Sequence, residues 1–217
     1  MKLTKHTHAT VVLEEASQRI LLDPGTFTPN TPELLASATA VLVTHEHFDH
    51  FAANEVRAAL AARPELRLWA PASVVRDLED TDAFRAGRVT ALRGHETFDI
   101  GGVEIRAVGG EHAQIYAGIA VPHNVGYVVG GTVFHPGDAY LLPGAEVETL
   151  LLPVSGPWFK VGEAIDFVQA VAPRRTVQIH DVMLSEIGRA SMGMFLGETG
   201  PTATPMLTLD PGESIAA

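Results

Sequence analysis

Residues 43–50 read VTHEHFDH. This short stretch holds three of the chain's ten histidines, His45, His47 and His50, with Asp49 between the last two. The apolar run AVLVT (40–44) leads into it. In extended backbone, side chains at i and i+2 point to the same side. His45 and His47, just beyond a strand, can therefore reach one metal ion. Asp49 and His50 follow as the chain turns into a helix, so they can face a second ion. The bland alternative is a polar surface loop, and four potential ligands in six residues fit it poorly. The C-terminal end of a strand, where it meets a helix, is also where α/β proteins carry function.

The composition narrows the chemistry. There is no cysteine, which removes disulfides, thiolate sites and cysteine nucleophiles and leaves His, Asp and Glu as metal ligands. The net charge of −11 disfavours broad binding to nucleic acid. A small anionic substrate stays possible, because bound dications invert the local field. The start, MKLTKHTHAT, has no apolar core of a secretory signal, and no run approaches the ~20 apolar residues of a membrane span. A cytoplasmic protein without membrane contact is expected.

The elements that must position the donors are legible in outline. With 46% hydrophobic content over 217 residues, the chain can bury a sizeable core and form one large domain, or two small ones sharing a core. Residues 8–23 read as a hairpin turning over Glu14–Arg19, and Asp23-Pro24-Gly25 ends its second strand. Thr31 reads as the N-cap of a short helix with Pro32 in its first turn, running to Ala38. AVLVT reads as a buried strand. FAANEVRAALAARP is helical until Pro64, Leu66–Ala70 is a strand and Pro71–Leu78 a short helix. Arg88–Gly131 is β-rich with Gly-Gly breaks. The pattern then becomes strand from Leu150, helix over Gly162–Val171, strand over Thr176–Ile179, helix from about Leu184 and an extended tail, PMLTLDPG. Strands and helices mix in both halves, with no repeat or linker visible by eye. This favours an α/β sandwich forming one unit over residues 1–217.

His45-x-His47-x-Asp49-His50 resembles the signature of the metallo-β-lactamase superfamily. That family's later motifs also find counterparts here, in Gly110-Glu111-His112, in Phe134-His135-Pro136-Gly137-Asp138 and in Val177-Gln178-Ile179-His180-Asp181. The similarity runs from the N-terminal hairpin to His180. The pieces DPG, GYVVGG and LLPVSGP further resemble a compact cytoplasmic branch that includes ascorbate-6-phosphate lactonase-like proteins. The resemblance implies an α/β (α+β), four-layered αββα sandwich with one or two metals. One metal would sit on His45, His47 and His112, the other on Asp49, His50 and His180, with Asp138 bridging them. It further implies two divalent ions, zinc first, with manganese, iron or nickel also compatible. It implies a metal-dependent hydrolase in which a bridging hydroxide attacks a lactone, phosphoester or thioester. Asp49 and Asp138 would be the catalytic carboxylates, Asp49 orienting the nucleophile while it ligates.

Other residues are weighed on the same footing. His8 is expected near the pocket, where related proteins often have His-Ala or His-Ser, or else at a sheet end. Asp23 either fixes the tautomer of a ligand histidine or forms a turn. Tyr140 follows Asp138 by two residues and could bond a substrate oxygen or pack at a helix start. Trp158 and Lys160, in SGPWFK, could wall the pocket and pair with an anionic substrate, or Trp158 could be core. Glu46 is expected to point away from the metals, His6 to be exposed, and His95 and His123 to be loop histidines. His135 has a weaker claim on the site. Asp181 either supports His180 or caps a helix. Three functions compete: a small-molecule hydrolase, a non-catalytic metal-binding protein and a nuclease. A hydrolase loses turnover on chelation. A nuclease cleaves RNA with steep salt dependence and usually carries an RNA-gripping arm, for which 217 residues leave little room. No nucleic-acid partner is expected.

Overall fold

A computed structural model describes residues 1–217. The first part of the chain forms β1 (Lys2–Lys5), β2 (Val11–Glu15), β3 (Gln18–Leu22), α1 (Thr31–Ser37), β4 (Ala40–Leu42), α2 (Ala53–Ala62), β5 (Arg67–Pro71), α3 (Ala72–Arg76), α4 (Asp82–Arg85) and β6 (Val89–Leu92). The second forms β7 (Thr97–Ile100), β8 (Val103–Glu111), β9 (His123–Val129), β10 (Val133–His135), β11 (Thr149–Pro153), α5 (Val161–Val171), β12 (Arg175–Ile179), α6 (Glu186–Leu196), β13 (Met206–Leu207) and β14 (Ser214–Ala216).

Two seven-stranded sheets result, in the orders β14-β1-β2-β3-β4-β5-β6 and β13-β12-β11-β10-β9-β8-β7. In each, antiparallel pairing on one side gives way to parallel pairing on the other, at β3/β4 in the first sheet and β10/β11 in the second. The alternation of side chains along a strand explains the layers. On β2, Val11 and Leu13 face the second sheet, in a cluster that also holds Tyr127, Leu151, Val177 and Ile179. Val12, between them, packs with Leu34 and Leu35 of α1 and Val56 and Leu60 of α2. On the far side, Phe134, Leu150 and Leu152 meet Phe167 and Val168 of α5 and Leu196 of α6. The strands are apolar on both faces because both faces are covered. This is the expected αββα sandwich. No helix is long and apolar enough to cross a membrane.

Several local expectations are corrected. The hairpin is tighter than expected: Glu14 pairs with Arg19 and Glu15 with Gln18, and the chain reverses at Ala16–Ser17, with Ala16 at φ +52°. Asn30, not Thr31, is the N-cap of α1; the Thr31 hydroxyl instead donates to the carbonyls of Gly25 and Thr28. Pro32 does sit in the first turn. The strands β1 and β14 were not foreseen. Both are short, β1 with three polar residues in four, and they pair with each other across the length of the sequence, Lys2 facing Ala216.

Candidate metal centre

The donor residues leave the ends of strands at one edge of the sandwich. The first sheet supplies His8 from the β1–β2 connection, Asp23 directly after β3, and the loop His45–His50 after β4. The second supplies His112 directly after β8, Asp138 three residues after β10, and His180 directly after β12. Close approach between these loops is enforced by glycine. A Cβ on Gly25 would lie 1.7 Å from the Asp49 carbonyl oxygen, so Asp23-Pro24-Gly25 lets the histidine loop lie directly against it. Gly137, at φ +66°, leaves no room for a Cβ between Asn124 and Thr44. His8, Asp23 and His180 themselves adopt φ of +62°, +46° and +55°. Such left-handed backbone costs roughly 1–3 kcal/mol per residue and clusters at functional sites.

Three sets of ligand atoms lie within 4.8 Å of one another: His45, His47 and His112; His45, His50 and Asp138; and His8, Asp49, His50 and His180. The structure therefore brings together all seven residues expected as ligands and adds His8. Asp138 spans the groups. Its Oδ1 is 3.2 Å from His50 Nε2, and its Oδ2 is 3.4 Å from His112 Nε2 and 3.0 Å from His180 Nε2.

Three of the rings, those of His50, His112 and His45, are held by hydrogen bonds through Nδ1. His50 Nδ1 donates to Asp23 Oδ2 at 2.7 Å, and His112 Nδ1 donates to the Ala113 carbonyl at 2.6 Å. Thr44 ties the arrangement together. Its backbone N–H donates to Asp23 Oδ1 at 2.7 Å and its hydroxyl to Asp23 Oδ2 at 2.8 Å. The same hydroxyl lies 3.0 Å from His45 Nδ1 and accepts from it. Such contacts behind metal ligands set their tautomer. The inward atoms His50 Nε2, His112 Nε2, His180 Nε2 and Asp138 Oδ1 are buried and make no hydrogen bond. Buried polar atoms in proteins are otherwise almost always paired. Lone pairs that converge without hydrogen-bond geometry fit a divalent cation.

The electrostatics agree. Burial raises the cost of charge on Asp138, but His50 and His180 override it and hold the carboxyl well below its usual range. Asp49 is only partly buried; burial again opposes its charge, and His180 and His8 override it and lower the carboxyl. In the metal-free protein, burial opposes charge on His180, and Asp138 pushes its pKa up to about 9. Burial also opposes charge on His50, which Asp138 and Asp23 raise well above the usual imidazole value. His45, fully buried, is pushed well below it. The carboxylates thus attract protons to the place a cation would fill.

A family model described as "Beta-lactamase superfamily domain" matches residues 2–180. The chain belongs to the beta-lactamase superfamily. Protein Rv0786c of Mycobacterium tuberculosis is 34% identical over 219 residues, covering 99% of this chain and 98% of that protein. A UPF0173 metal-dependent hydrolase of Pyrobaculum calidifontis is 29% identical and covers 83% of this chain and 84% of its own. Among solved structures, Igni18, a metallo hydrolase of Ignicoccus hospitalis, shares the fold, with a TM-score of 0.72 at 18% identity, covering 99% of this chain and 97% of that one. The protein is a metal-dependent hydrolase of the metallo-β-lactamase superfamily, with His/Asp clusters suited to metal.

Within the superfamily fold, the remaining candidates divide. His8 Nε2 lies 3.0 Å from Asp49 Oδ2, and Trp158 Nε1 donates to Asp138 Oδ2 at 3.1 Å, so both touch the centre. Asp23 supports His50, as expected of a tautomer-fixing carboxylate. Tyr140 does not reach it: its ring stacks on Phe167 with centroids 4.9 Å apart. Lys160 does not either. It is exposed, directly precedes α5, and pairs with Glu163 at 2.7 Å. Glu46 points away and accepts from the Ser73 hydroxyl. His135 is buried between the Ala9 carbonyl and the Gly137 N–H. His123 bonds the Arg93 carbonyl outside the centre. His6, expected to be exposed, is 8% exposed. Asp181 neither supports His180 directly nor caps a helix; it pairs with the buried Lys5 at 3.1 Å. Residue reading missed Thr44's bonds to Asp23, Asn124, which accepts from the Asp138 N–H, and Phe48, although Phe48 stands inside VTHEHFDH.

A cavity of about 300 Å³ opens over the centre, with His47, Asp49, His112, Asp138 and His180 along one side.

Proposed function

We propose that this hydrolase cleaves an ester-like bond of a small molecule, a lactone, phosphoester or thioester, at a centre of two divalent cations, zinc first. His45, His47 and His112 would hold one cation, Asp49, His50 and His180 the other, and Asp138 both. The carrying observation is the convergence of buried, hydrogen-bond-free donor atoms from both sheets on one point. A divalent cation there supplies Lewis acidity and lowers the pKa of water toward neutrality.

The protein's own groups do the positioning. Asp23 and Thr44 hold His50 and His45 with their inward nitrogens deprotonated. His8 lies against Oδ2 of Asp49, the same oxygen that faces His180, and Trp158 fixes one oxygen of Asp138. Asp49, whose side chain is 15% exposed to the cavity, is placed to orient a water or to take up a proton. The cavity admits a small molecule, and no nucleic-acid surface is part of this reading.

The test combines elemental analysis of the purified protein with turnover of a phosphodiester, a lactone and a thioester. About two metals per chain, and turnover that chelation abolishes and metal restores, is the expected result. Failure to bind metal at saturating addition would overturn the ligand assignment.

A further inference from the structure

The cavity over the centre has two unlike sides. All its polar lining belongs to the proposed metal centre. The rest is Phe27, Phe48, Ile115, Pro157, Trp158 and Met183. No lysine, arginine, hydroxyl or amide side chain lines it. The basic groups nearby in sequence are already engaged elsewhere: Lys5 with Asp181, Lys160 with Glu163 and Arg189 with Asp210. Phe27 and Phe48 meet edge to face, with centroids 5.5 Å apart, and form one wall. The apolar lining continues to the mouth, where Phe48 is 63% and Met183 56% exposed. Large side chains of this kind left open to water beside a reactive centre mark a ligand surface.

We infer that this cavity takes the apolar acyl group of an uncharged carboxylic ester or thioester, whose carbonyl carbon is the reacting atom. The inference rests on the hydrolase reading above and narrows it. Water adds across the acyl C–O or C–S bond: the carbonyl carbon gains the hydroxyl, and the departing oxygen or sulfur takes the proton. An anionic group on the substrate would face Phe48, Ile115 or Met183 with no partner, and burying an unpaired charge is strongly unfavourable. A phosphorylated sugar lactone, the substrate type of the lactonase-like branch that the motifs resemble, is thus disfavoured. An acyl chain gains instead, because each methylene it buries leaves water.

The experiment uses the full chain loaded with zinc. Initial rates are measured on p-nitrophenyl acetate, butyrate, hexanoate and octanoate and on bis(p-nitrophenyl) phosphate. In parallel, calorimetry gives the Kd of acetate, butyrate, hexanoate and octanoate, the corresponding acids, independently of turnover. The expected result is a kcat/KM that rises roughly twofold to fourfold per added methylene, the upper figure being the equivalent of about 0.8 kcal/mol per buried CH2. The Kd of the acids should fall in step, and the phosphodiester should be the poorer substrate. Phe48→Ser and Met183→Ser, both at exposed positions, should flatten the chain-length dependence while leaving metal content unchanged. Rates and affinities independent of chain length, or preference for the phosphodiester, would overturn the acyl cavity and leave the hydrolase standing. Affinity that climbs with chain length, with every ester untouched, would support the cavity and overturn the hydrolysis on which it rests.

Discussion

At the scale of single residues, the centre is a problem in holding imidazoles still. Asp23 never faces the cavity, yet it binds His50 Nδ1 and two donors of Thr44 while fully buried. Asparagine at this position keeps an acceptor for Thr44 but loses the charge that favours the His50 Nδ1–H tautomer. We expect Asp23→Asn to weaken metal binding roughly 10- to 100-fold, the usual cost of losing such a partner. Competition against a chromophoric chelator measures it, and near-UV circular dichroism checks that the fold persists. Unchanged affinity would remove Asp23 from the centre. The candidate donors were legible because HxHxDH is local: four potential ligands within six residues need no tertiary knowledge. Tyr140 and Lys160 were misplaced because proximity in sequence does not fix direction. Two residues past Asp138 the side chain already faces α5, and Lys160 is drawn to Glu163 three residues on.

At the scale of elements, the connections carry as much as the strands. Glu96, in the turn between β6 and β7, accepts the backbone N–H groups of Arg93, Gly94 and His95 at 2.8–3.0 Å. Partial burial pushes its carboxyl up, but these donors prevail and hold it at about 2, against an ordinary 4.5. A carboxyl lowered in the folded state contributes stability that is complete above its unfolded pKa and vanishes as pH falls through the folded one. Glu96→Gln should therefore cost about 1 kcal/mol at neutral pH, a figure already reduced for solvent screening. The difference between variant and parent should shrink from pH 4.5 downward and be gone near pH 2. Urea midpoints of the chelated protein across that range report it, and a constant gap would contradict it. The element types could be read because burial on both faces leaves apolar runs such as AVLVT and LLLPV. Their ends could not, since turn residues such as Ala16 take up positive φ only when the paired strands demand it. The short strands β13 and β14 gain their order from partners elsewhere in the chain, β12 and β1.

At the scale of the whole molecule, the centre joins two sheets. His45, His47, Asp49 and His50 leave the first; His112, Asp138 and His180 leave the second. In the unfolded chain these donors are up to 135 residues apart, counted from His45 to His180. A cation that binds only the assembled set stabilises the fold by mass action. Free metal at a thousandfold excess over Kd contributes about 4 kcal/mol, which corresponds to roughly 8–16 °C in Tm for a chain of this size. Chelation should lower Tm by that amount, and calorimetry with and without EDTA decides it. A Tm indifferent to chelation would mean that the metal does not bridge the sheets. The layered architecture was open to sequence reading because strands and helices alternate in both halves. That its two halves repeat one order of antiparallel then parallel pairing was not, because no residue pattern repeats with it.

The pairing of β1 with β14 has a consequence for biosynthesis. Lys2 leaves the ribosome 214 residues before Ala216, yet they are neighbours on the same sheet edge. Until β14 has been made, the free edge of β1 lacks its partner, and an open strand edge is a template for joining another chain. Contacts this distant in sequence also form slowly. The nascent chain therefore carries one sheet unfinished until β14 emerges, and the polar content that hid β1 from sequence reading, with Lys2, Thr4 and Lys5 in four residues, blunts that waiting edge against other strands.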